Sequence, residues 1–82
     1  DLSMEQVHIP GGSSLIGRSI VDAGIRQKFG VIIVAIKRGD GAMEFNPPPE
    51  AVMGVGDYLV VLGQAKSLRE LEAAAGHGTV TR

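Results

Sequence analysis

The 82-residue chain contains no cysteine. Without thiols it can form neither a disulfide framework nor a thiolate metal site, a composition that fits a reducing cytoplasm. Aromatic residues are scarce, with two Phe and one Tyr. That is too few for a platform on which nucleic-acid bases could stack, and Phe29 and Phe45 are expected in the core. An excess of one charge is also lacking: eight Lys plus Arg stand against nine Asp plus Glu. No run of like charge could neutralise several phosphates, so nucleic acid is not expected as a partner. The longest uninterrupted apolar stretch, Val31 to Ile36, falls far short of the roughly 20 residues that cross a bilayer. The acidic N-terminal end lacks a signal-peptide pattern, so any link to a membrane is expected through another segment.

The length predicts one domain over residues 1–82 with one modest core. A chain of this size buries only roughly 60% of the surface it exposes when unfolded, which makes a second copy a plausible source of further burial. Val7 and Ile9 alternate with His8 ahead of Pro10-Gly11-Gly12, which predicts a half-buried strand from Ser3 to Ile9. Ser19 is suited to cap a helix, with Asp22 at the third helical position. Ile20, Val21, Ile25 and Phe29 continue that helix, but Gly24 interrupts it and Gly30 ends it, so a short, broken helix is expected. The β-branched run Val31–Ile36 between Gly30 and Gly39 predicts a strand covered on both faces. Gly39-Asp40-Gly41 forms a tight turn into an antiparallel strand at Met43–Phe45. Asn46-Pro47-Pro48-Pro49 then takes the chain out of the sheet. A turn at Val55-Gly56-Asp57 leads to a buried strand from Tyr58 to Leu62, which Gly63 is expected to end. Leu68, Leu71 and Ala75, with Lys66 and Glu70 one turn apart, predict a closing amphipathic helix and a frayed tail over 76–82. This order gives an α+β fold: a small sheet of about four mainly antiparallel strands, a short broken helix and a C-terminal amphipathic helix.

Gly12-Ser13-Ser14-Leu15-Ile16-Gly17-Arg18-Ser19 has the spacing of a phosphate-cradling loop, but Arg18 stands where that motif requires Lys. The helix after it is cut at Gly24, so a glycine turn followed by a capping Ser19 accounts better for the segment than nucleotide hydrolysis does. His8 and His77 have no carboxylate at ligand spacing and are expected to be solvated. Asp40, Glu44, Glu50 and Asp57 could gather at one end of the sheet as calcium ligands. Asp40 and Asp57, however, adjoin turn glycines and have structural work there. No catalytic residue, metal or cofactor is expected. Arg26, beside Ile25 and close to Ile20 and Val21, could present a guanidinium to an anion next to an apolar shelf; a solvated helix face is the plainer alternative.

Taken in order, Ile9-Pro10, Leu15-x-Gly17-Arg18-Ser19-Ile20, Ile25-Arg26-Gln27-Lys28-Phe29-Gly30-Val31, Ile36-Lys37-Arg38-Gly39 and Gly56-Asp57-Tyr58-Leu59-Val60-Val61-Leu62-Gly63 resemble the RCK-C (TrkA-C) family across most of the chain. The resemblance implies a cytoplasmic, non-enzymatic regulatory domain of a potassium or other cation channel or transporter. Such a domain follows a nucleotide-binding RCK-N domain and pairs with a second copy of itself. No strand here leads into a dinucleotide glycine fingerprint, so the chain is expected to be part of a longer protein associated with the cell membrane. Some members bind cyclic di-AMP between two C-terminal domains, through a segment that matches Ile20, Val21 and Arg26. Those members also use an Asn early in the next strand. Ile32 occupies the matching position here and cannot hydrogen-bond a base. The resemblance thus implies ligand sensing at Ile20, Val21, Arg26 and Ile32, with oligomerisation alone as the alternative.

Overall fold

The computed structural model describes residues 1–76. The order is β1 (Leu2–His8), α1 (Ile20–Ala23), α2 (Ile25–Phe29), β2 (Ile32–Lys37), β3 (Met43–Phe45), β4 (Tyr58–Gln64) and α3 (Ala65–Gly76). The four strands form one antiparallel sheet in the order β1-β4-β2-β3, the α+β architecture expected from the sequence. Of the tail expected over 76–82, Gly76 closes α3, and residues 77–82, His77 among them, lie outside the described residues.

One face of the sheet carries the core. Val7 from β1, Ile33 and Ile36 from β2, and Leu59 and Val61 from β4 meet Leu68, Leu71 and Ala75 of α3 and Ile20, Ala23 and Ile25 of α1 and α2. Fully burying a Leu or Ile side chain is worth about 1.5–3 kcal/mol, so this layer supplies most of the driving force for folding. The helix that begins after Ser19 is indeed cut at Gly24. That residue has φ 68°, ends α1 and starts α2, and its N–H donates to the carbonyls of Ile20 and Val21. Two short helices at an angle replace one long one because an L side chain is disfavoured in that left-handed conformation.

Four expectations need correction. Gly63 does not end β4 but sits inside it opposite Ser3. A Cβ there would come within 2.9 Å of Val31 Cγ1, so the glycine serves close packing rather than termination. Phe45 is not in the core but 72% exposed, whereas Phe29 does pack against the core. β2 is not covered on both faces, since Ile32 is 59% exposed. β4 is likewise buried on one side only, with Tyr58 exposed at its start. The apolar residues at both parities of β2 and β4 suggested cover on both sides. Among the described residues only one helical layer exists to provide it.

Candidate functional site

The bend at Gly24 creates an open groove. Ser19 Oγ accepts from the Asp22 N–H at 3.1 Å and fixes the start of α1. The Ile20 and Val21 N–H groups donate to Ala51 O at 3.0 Å and Pro49 O at 2.9 Å, binding the helix start to the proline segment. Between these elements lies a cavity of ≈ 150 Å³ lined by Ile20, Val21, Gly24, Arg26, Gln27 and Pro49. Ile20 is buried and forms its floor, while Val21 is a half-exposed apolar wall. Arg26 Nη2 donates to Pro47 O at 3.2 Å, which anchors the guanidinium at the rim. A guanidinium has five N–H donors, and among the described residues Arg26 has this one acceptor and no carboxylate partner. The remaining donors suit an anionic group resting beside an apolar shelf.

Ile20, Val21 and Arg26 are therefore brought together. Ile32 is not: it pairs with Leu62, which in turn pairs with Met4, on the sheet face away from the core. The sequence reading missed Pro49, Gly24 and Gln27 as lining residues. Gly24 had been legible only as a break, and the prolines only as an exit from the sheet.

The phosphate-loop-like segment is a compact set of turns. The N–H groups of Ser13, Ile16, Gly17 and Arg18 donate to Pro10, Ser13, Met53 and Leu15 carbonyls, and the Leu15 N–H donates to Ser13 Oγ. These donors point into the protein's own backbone, and only the four residues of α1 follow, so no anion cradle is formed.

At the other end of the sheet the carboxylates gather around Arg38, not around a metal site. Arg38 Nη1 lies 2.8 Å from Asp57 Oδ2 and Nη2 lies 2.7 Å from Glu44 Oε1. Nη1 also donates to Val52 O, while Asp57 accepts from the Gly39 and Gly54 N–H groups. Burial opposes the Arg38 charge, but the hydrogen bonds and charges of Glu44 and Asp57 outweigh it and raise the guanidinium pKa. Asp40 accepts from the Ala42 N–H in its own turn. No group of three His, Asp or Glu residues able to hold a metal occurs among the described residues. The structural work assigned to Asp40 and Asp57 is present. Arg38, the residue that organises the cluster, had no distinguishing signal beyond preceding the Gly39 turn. His8 is exposed, with its ring 4.8 Å from that of Tyr58.

Residues 4–76 match the profile of the TrkA-C domain. The chain belongs to this family. The TrkA-C domain described here is 34% identical over 65 residues to potassium channel protein 1 of Methanocaldococcus jannaschii, covering 79% of this chain and 19% of the channel. Among solved structures it is similar to the RCK C domain of the potassium transport protein KtrA in complex with cyclic di-AMP. That match has a TM-score of 0.79 and 30% identity, and covers 89% of this chain and 82% of the other. The fold is also shared with the RCK_C domain dimer of S. agalactiae BusR in complex with cyclic di-AMP, with a TM-score of 0.82, 23% identity and 90% of both chains covered. A longer BusR chain is solved on its promoter DNA, and this TrkA-C domain covers 35% of it. No described helix is long and apolar enough to cross a membrane.

Proposed function

We propose that this TrkA-C domain is a cytoplasmic ligand-sensing and dimerising regulatory domain that controls a potassium or other cation channel or transporter. In the longer protein it follows an RCK-N domain and is thereby associated with the membrane. It has no catalytic step of its own. The ligand is cyclic di-AMP, held in the groove at the α1–α2 bend, with Ile20 and Val21 against the base and Arg26 on a phosphate. The observation that carries this reading is Arg26, anchored through a single donor beside an apolar groove and lacking a carboxylate partner among the described residues. The KtrA domain, 30% identical to this chain, is solved in complex with cyclic di-AMP, which supports that molecule as the ligand.

The groove is small. Sites for small molecules occupy about 300–1,000 Å³, against ≈ 150 Å³ here. One protomer therefore offers half a site, and a two-fold symmetric dinucleotide between two copies would complete it. A ligand bound more tightly in one arrangement of the two copies shifts the population toward that arrangement, and the attached transport protein responds. A thermal-shift measurement tests this. With cyclic di-AMP about 100-fold above its Kd, the melting temperature should rise by more than about 10 °C. Arg26→Ala should remove the rise while leaving the protein folded. Equal rises in both proteins would exclude Arg26 from the site. Absence of a rise in the wild type would favour the alternative, a pure oligomerisation module, for which the open apolar sheet face is the supporting observation.

A further inference from the structure

Gln27 lines the groove at the α1–α2 bend, yet neither the apolar shelf nor the phosphate contact uses it. It follows Arg26 on α2, is exposed, and makes no side-chain hydrogen bond to any described residue. A base laid against Ile20 and Val21 brings polar edge atoms with it, and leaving those atoms without partners costs affinity. The groove has few groups to meet them. Ile20, Val21 and Pro49 have apolar side chains, and the Arg26 guanidinium donates but cannot accept. The backbone of the lining is engaged as well. The Gly24 N–H donates to Val21 O at 3.0 Å, and Gly24 O accepts from the Lys28 N–H at 2.8 Å. Pro49 O accepts from the Val21 N–H at 2.9 Å, and Pro47 O from Arg26 Nη2 at 3.2 Å. Among the described lining side chains, Gln27 therefore stands alone in offering an acceptor, Oε1, beside a donor, Nε2, with neither committed elsewhere.

We infer that Gln27 reads the base in this groove and makes the site select adenine over guanine. The inference rests on the groove reading above and adds to it the residue that sets base specificity. A carboxamide matches one edge of adenine with two hydrogen bonds: Oε1 accepts from the N6 amino group and Nε2 donates to N7. At the same edge guanine presents two acceptors, O6 and N7. Whichever way the amide is turned, Oε1 then has no donor to accept from. Being exposed and free of hydrogen bonds to the described residues, the Gln27 side chain can turn toward a base without breaking a contact of that kind. The two neighbours on α2 thus divide the work. Arg26, with donors only, suits the phosphate of any such dinucleotide, and Gln27 decides which base accompanies it.

Isothermal titration of the 82-residue chain with cyclic di-AMP and with its guanine counterpart, cyclic di-GMP, tests this. A bidentate base contact discriminates by about five- to 150-fold, so the wild type should prefer cyclic di-AMP at least tenfold. Gln27→Leu should reduce the preference to less than about threefold, chiefly by weakening cyclic di-AMP, with an unchanged circular dichroism spectrum. Gln27→Met carries the test if the leucine variant loses its fold. Arg26→Ala should weaken both ligands by the same factor and so preserve the preference. A wild-type preference that survives in the folded Gln27 variants, or that Arg26→Ala removes equally, would overturn the inference and leave the groove reading in place. Binding of neither dinucleotide by the wild type would overturn both.

Discussion

Arg38 and Arg26 are both partly exposed guanidinium groups, yet the residues around them direct them to opposite tasks. Arg38 engages Asp57, Glu44 and the Val52 carbonyl, so its donors are committed to holding the 38–44 turn, the 52–57 segment and β3 together. Asp57 is the buried centre of this clamp, and Asp57→Ala removes one of the two carboxylates that hold Arg38 and strands the Gly39 and Gly54 N–H groups. Hydrogen bonds to charged groups are worth about 1.5–3 kcal/mol each and do not add simply. A loss of about 3 kcal/mol is expected in urea unfolding, with no effect on which ligand the groove accepts. Because the folded-state pKa of Arg38 is raised, its contribution is complete below its unfolded value and is lost only as pH rises through the folded one. Both lie above the neutral range for arginine, so stability from this group should be flat between about pH 6 and 9 in the same assay. Arg26, in contrast, has one backbone acceptor among the described residues, which leaves donors for the proposed ligand.

At the scale of elements, two glycines act in different ways. Gly24 adopts φ 68°, and an L residue in the left-handed region costs about 1–2 kcal/mol, so Gly24→Ala should lower stability by that amount. Gly63 has no unusual φ. Its constraint is Val31 Cγ1, 2.9 Å from where a Cβ would sit, and Gly63→Ala should cost about 1–3 kcal/mol through overpacking. Equilibrium unfolding of both variants checks these values. The difference also explains what could be read beforehand. A left-handed glycine inside a helical pattern leaves a local mark, so the broken helix, its Ser19 cap and the turns at Gly39–Gly41 and Gly56 were legible. A glycine required by a non-local neighbour leaves none, and Gly63 was misread as a strand end. Phe45 was misplaced for a related reason: alternation assigns a residue to a face but does not say whether that face is covered. In the groove, Ile20, Val21 and Arg26 were legible through the family motif. Pro49 and Gln27 line it only because the 47–51 segment folds back onto α1, a contact that no spacing in the sequence announces.

At the scale of the whole molecule, the described residues form a four-stranded sheet with helices on one face, an open apolar surface on the other, and a groove at the α1–α2 bend that is too small to enclose a nucleotide alone. Under the proposed function a second copy completes the groove. In that reading the pairing would add stability to a small domain with marginal burial, and the ligand would be a second, conditional source of it. Isothermal titration of cyclic di-AMP into the 82-residue chain tests the half-site directly, because stoichiometry separates a shared groove from a complete one. One ligand should bind for every two chains, and Arg26→Ala should weaken binding at least tenfold. One ligand per chain, or wild-type affinity in Arg26→Ala, would contradict it.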